Sequence, residues 1–202
     1  MRKAGGTMAK VIGFKKAREA RQHGQDLTDL VKSAAIIKGR VVDFREDLKK
    51  KIIVASSHGQ FKVFLSGLIS EVIFRHPSLI CRESLLCGVY SAQVLTQFIF
   101  ESPKSWWAVD YLQEYAEARD RQKSANALKR GGDLCFLICS VFPERGNIRT
   151  MMFKDYQAMG IGFFQRHFNS SGAEISYFMS QQFSNMAKII QNHVLPELKG
   201  ER

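Results

Sequence analysis

Between Phe153 and Val194 apolar residues recur every three or four positions in two successive runs, a period that buries one side of an α-helix and no side of a strand. Phe153, Tyr156, Gly160, Phe163, Phe164 and His167 trace the first run. Ile175, Phe178, Met179, Met186, Ile189, Ile190 and Val194 trace the second, which ends near Pro196. Asn169-Ser-Ser-Gly172 between them is expected to be the turn, and so short a connection makes the two helices antiparallel neighbours. Gly160 stands among large side chains, so another helix backbone is expected to come close there. His167 is expected near its helix end, where a partly protonated imidazole interacts well with the last carbonyls.

The same period governs the chain upstream. Phe61, Phe64, Leu65, Leu68 and Val72 mark a stripe that Ile69 and Ile73 widen and Pro77 stops. Ser84 is placed to cap the next helix, which carries Leu85, Leu86, Val89, Tyr90, Val94, Leu95, Phe98 and Ile99. Its polar side is narrow, so it is expected to run through the centre of the fold. After the turn Glu101-Ser-Pro-Lys104, Trp107, Tyr111 and Tyr115 share one side of a helix whose charged far end, Glu114 to Arg130, continues toward Gly131-Gly132. That glycine pair is expected to break the helix, with Asp133 capping a buried helix, Leu134 to Phe142, that Pro143 ends. Nearer the start, Asp26 can cap a helix through Leu27, Leu30, Val31 and Ala34 that Gly39 ends. Residues 40–58 carry both periods. Val41, Val42, Phe44 and Ile52 to Val54 suit strands, whereas Leu48, Ile52 and Ala55 share a helical side. A long helix is expected there, because two short strands amid helices would be marginal.

The fold class expected is therefore all-α: a bundle of about six to eight antiparallel helices around one aromatic-rich core, into which most of the fifteen phenylalanines pack. Residues 25–196 are expected to form one helical domain, 1–24 a flexible basic N-terminal arm and 197–202 a C-terminal tail.

The formal net charge is +11, and it is unevenly spread. Residues 1–62 hold fifteen basic and six acidic groups, whereas the other 140 residues hold fifteen and thirteen. Lys15, Lys16, Arg18 and Arg21 are the candidate contacts to nucleic acid or another polyanion. A solubilising basic face explains the same residues without a ligand. The longest uncharged run, Ser84 to Phe100, is 17 residues and includes Ser91, Gln93, Thr96 and Gln97. That is too short and too polar for a membrane span, and with no secretory signal the cytoplasm is the expected compartment.

The polar residues form no reactive set. Cys81, Cys87, Cys135 and Cys139 lack metal-ligand spacing, and Cys135 and Cys139 lie in an apolar run where free thiols pack as small hydrophobes. His58, His76, His167 and His193 lack the HExxH or HxxxH spacing of a zinc site. No phosphate-binding glycine loop or serine elbow occurs, so neither a metal nor a cofactor is expected. Arg18 and His23 would suit phosphodiester chemistry, one gripping a phosphoryl oxygen and the other moving a proton, but they sit in the polar arm. Glu144, Arg149 and Tyr156 form a candidate ligand pocket beyond Pro143, against the plainer reading of ion pairs anchoring a helix end.

Gly131-Gly-Asp133, the apolar run to Cys139, Phe142-Pro-Glu144 and the following Asp155-Tyr156 helix with Gly160 on one side resemble a group of bacterial helical proteins of about 200 residues that have no assigned function. The resemblance covers roughly residues 106–195. It implies a helical fold and a bacterial source, and it supplies no catalytic residue.

A helical binding or scaffolding protein, acting through protein contacts or self-association, is the function these features favour. A nucleic-acid-binding protein using the basic first third is the alternative, and a hydrolase or nuclease the third reading.

Overall fold

The computed structural model describes residues 58–143 and 152–199. The basic arm, the helix expected from Asp26 and the ambiguous residues 40–57 lie outside the described residues. Six helices of ten residues or more follow one another: α1 (His58–Arg75), α2 (Arg82–Phe100), α3 (Ala108–Glu117), α4 (Arg121–Val141), α5 (Phe153–Ser171) and α6 (Glu174–Ile189). A π-helical turn, Ile190–Val194, joins α6 to the short α7 (Leu195–Lys199), and a 3₁₀ turn, Pro77–Leu79, sits between α1 and α2. Among the described residues there is no strand, and this part of the protein is an all-α bundle.

Side-chain pairings run in opposite directions along neighbouring helices, which makes them antiparallel. Lys62 meets Gln93, and Ile69 and Ile73 meet Gly88, across α1 and α2. Gly131 faces Phe163 and Cys135 faces Gly160 across α4 and α5. His167 meets Ser176 and Gln157 meets Ser184 across α5 and α6. The interior is aromatic: Phe136 packs edge-on against Phe183 at 5.5 Å, Phe164 touches Phe183 and Tyr90, and Phe98, Trp106 and Phe142 form a second set at the α2–α3 turn.

Pro77 and Pro143 act as their chemistry dictates. Helix α1 ends two residues before Pro77, and α4 ends two residues before Pro143. The stretch Leu134–Val141 is buried on every side, as its composition predicts.

Several local expectations are corrected. Cys81, not Ser84, caps α2: its sulfur accepts the Ser84 N–H at 3.4 Å, and Ser84 is already buried in the first turn. Helix α2 is not enclosed, because Leu86, Val89 and Phe100 are exposed; the enclosed segment is the second half of α4. The charged helix does not run to Gly131. It stops at Glu117, and Asp120 starts α4 by accepting the Gln122 N–H at 2.8 Å. Gly131 and Gly132 lie mid-helix, and Asp133 is no cap. A methyl at Gly131 would sit 2.5 Å from the Phe163 ring, and one at Gly132 would sit 3.0 Å from the Phe164 ring. The pair is the groove that receives two phenylalanines, not a break.

Helix α5 likewise continues through Asn169-Ser-Ser. Only Gly172 leaves it, with φ at 74°, where the left-handed conformation suits glycine and its N–H reaches the Phe168 carbonyl. Leu198 is buried, so the last helical turn belongs to the core.

Candidate functional site

Helix α1 is apolar on two sides. Phe61, Leu65, Ile69, Val72 and Ile73 are buried. On the opposite side Val63 is 73% exposed, Phe64 53% and Phe74 57%, with Gly67 and Glu71 between them. The sequence places Phe64 in the core stripe; the structure rotates that stripe toward Ile69 and Ile73 because they pack on Gly88 of α2. Helix α2 repeats the arrangement. Leu86, Val89 and Phe100 are exposed on the side that also carries Gln93 and Gln97, although the sequence assigns Leu86 and Val89 to the core.

The two outer sides are held together as one piece. Phe100 packs on Phe61 at 6.2 Å and on His58 at 5.1 Å, Phe61 stacks with Phe64, and Lys62 reaches over to the Gln93 side-chain oxygen at 3.2 Å. With Ile80 in the connection, seven of the ten large apolar side chains exposed among the described residues belong to this hairpin. Charges here are sparse, and Glu71 and Arg75 pair with each other one turn apart. The signal available in the sequence was the second apolar side of α1, with Val63, Phe64, Gly67 and Phe74 within about 100° of one another on a helical projection.

Several interior polar side chains bond one another across helices, although the buried Ser91 hydroxyl has no partner among the described residues. Asp133 of α4 accepts the Tyr90 hydroxyl of α2 at 2.6 Å on one carboxylate oxygen and the Lys129 ammonium at 2.7 Å on the other. Lys129 also lies over the Tyr90 ring at 5.3 Å. Burial, reinforced by the Asp133 charge, raises the Tyr90 phenol far above its ordinary range, so it moves no proton near neutral pH. This trio clamps α2 to α4.

His167 is 8% exposed, and its Nδ1 is 2.7 Å from the Ser176 hydroxyl. Burial lowers its pKa first, and the Lys129 charge adds to that against an opposing pull from Asp133. The imidazole is therefore neutral, and the partly protonated helix-end histidine expected from sequence is corrected: α5 runs one turn further and encloses the ring. Burial raises the Cys87 and Cys139 thiols to about 12 and pushes Cys135 up as well, so these sulfurs are packing groups rather than nucleophiles. Among the described residues no three His, Cys, Asp or Glu side chains converge as a metal would require.

Of the ligand pocket expected from sequence, Tyr156 is buried, while Glu144 and Arg149 lie outside the described residues. Lys15, Lys16, Arg18 and Arg21, with His23, lie outside them too. No described helix is long and apolar enough to cross a membrane. No family model, no curated protein and no solved structure matches the chain.

Proposed function

We propose that the protein is a helical scaffold that works through protein contacts, and that the outer side of the α1–α2 hairpin is where it associates with a second copy of itself. One observation carries this reading: the exposed apolar side chains are gathered on one hairpin instead of scattered, and gathered patches of this kind mark contact surfaces. Self-association is favoured over a charged partner because the patch is nearly free of net charge, the Glu71–Arg75 pair being neutral as a unit. Two hairpins laid against each other would complete a four-helix layer of ordinary packing.

The test is light scattering after size exclusion across a concentration series, with Phe64→Glu/Phe74→Glu alongside. The wild type is expected to exceed monomer mass and the double variant to run as a monomer with the same circular dichroism. A wild type that stays monomeric at about 0.1 mM, well above the micromolar range of moderate dimers, removes this reading. So does an oligomer that the two charges leave intact.

A further inference from the structure

A second feature lies away from the hairpin, where α4, α5 and α6 meet the π-helical turn. Helix α4 has a carbonyl it cannot satisfy by itself. The Cys139 oxygen would accept the N–H four residues on, but that residue is Pro143, which has none. The Gln191 side-chain amide, carried on the π turn, donates to this carbonyl instead. The wider π turn thus sets Gln191 against the end of α4, and π turns inside helices often mark functional places.

Beside this bond is a cavity of about 140 Å³. Cys139, Phe153, Phe183 and Ala187 give it apolar walls, while Gln157, Ser184, Gln191 and Lys188 supply its polar lining. Gln157 donates to the Ser184 hydroxyl at 2.5 Å, which leaves that hydroxyl's own hydrogen free to donate. Lys188, which is exposed and makes no ion pair among the described residues, also borders this largely apolar space. The volume is close to the roughly 150 Å³ at which an apolar cavity in another protein takes up benzene. Phe183 is fixed by Phe136 and Phe164, so the space does not close by rotation of that ring.

We propose that this cavity binds a small monocarboxylate with a compact apolar body of about six carbons, the body against Phe153, Phe183 and Ala187 and the carboxylate between Lys188 and the Ser184 hydroxyl. The carboxylate accepts from both groups, and the apolar body leaves water for the walls. Binding here is independent of the hairpin, so the proposal stands or falls separately from self-association.

Calorimetric titration of the full-length protein with benzoate, and with benzamide as the neutral isostere, tests it. Benzoate is expected to saturate one site per chain and to bind about two- to fivefold more tightly than benzamide, the advantage of one solvent-accessible charge pair. Lys188→Met should erase that preference, whereas Lys123→Met, an exposed lysine on α4 away from the cavity, should keep it. Ala187→Leu should weaken both ligands by about tenfold, with circular dichroism checking that the fold is intact. Lys188→Met alters an exposed side chain and decides the matter even where Ala187→Leu fails to fold. No saturation by about 30 mM benzoate overturns the proposal, as does equal affinity for the two ligands or a preference that survives Lys188→Met.

Discussion

Gly160 and Gly162 stand on the same helix, two residues apart, and face opposite consequences. A methyl at Gly160 would lie 2.5 Å from the Phe183 ring and 2.9 Å from the Cys135 β-carbon, whereas one at Gly162 would meet nothing within 4 Å. Phe183 packs against Phe136 and Phe164, and the Cys135 β-carbon is carried by the α4 backbone, so an added methyl must displace packed neighbours on two helices. Gly160→Ala is therefore expected to destabilise the protein by about 1–3 kcal/mol in chemical denaturation. Gly162→Ala is expected to leave stability unchanged or raise it by up to about 1 kcal/mol, because alanine is the better helix former. Equal effects of the two variants would contradict the packing described. His167 yields a pH dependence. Its folded pKa lies below the ordinary value of about 6.5, so the folded state favours the neutral ring. The stabilisation is complete above that value and is lost as pH falls through the lower folded pKa. The urea midpoint should fall between pH 7.5 and 5.5, and His167→Gln, which can still bond Ser176, should show a smaller fall. An identical fall in the variant would place the titrating group elsewhere.

At the scale of elements, the break at residues 118–120 and the unbroken α4 are two sides of one balance. Arg121 to Arg130 is a polar stretch with no apolar stripe strong enough to start a helix by itself. Asp120 starts it by accepting the Gln122 N–H, Arg121 ties it to the end of α5 through the Ser170 carbonyl, and Arg130 pairs with Glu114 of α3. Loss of an N-cap carboxylate costs about 1 kcal/mol. Asp120→Ala should accordingly lower the melting temperature by about 2–4 °C for a chain of this size. Asp120→Asn, which keeps an acceptor oxygen, should recover most of the difference. A melting temperature untouched by Asp120→Ala would mean that tertiary contacts alone hold the first turn of α4.

For the whole molecule, the placement of apolar surface matters more than its amount. The core around α4 and α6 is closed by aromatic contacts, while the α1–α2 hairpin covers it with one side and offers the other. A protein that self-associates through that outer side gains stability with concentration, because the associated form is reachable only from the folded state. The melting temperature of the wild type should rise over a hundredfold concentration range, and that of Phe64→Glu/Phe74→Glu should stay flat. A flat wild-type profile would count against association through the hairpin.

The periodicity of three and four was enough to determine the all-α bundle of the described residues, the ends of α1 and α4 at their prolines, the buried run Leu134–Val141 and the close contact at Gly160. These follow from local rules: which side of a helix is apolar, and where a backbone N–H is missing. The features that position the candidate sites depend on partners far along the chain. Gly131-Gly132 reads as a break until Phe163 and Phe164 fill the groove it leaves, some thirty residues on. Asp133 reads as a cap until Tyr90, 43 residues earlier, donates to it. Phe64 and Phe74 read as core material, or go unnoticed, because a helix with two apolar sides does not say which one the fold will cover. The sequence determined that these segments are helices and which of their residues are apolar; only the tertiary structure decided which apolar side is buried, because burial is a property of the neighbour that arrives and not of the helix that receives it.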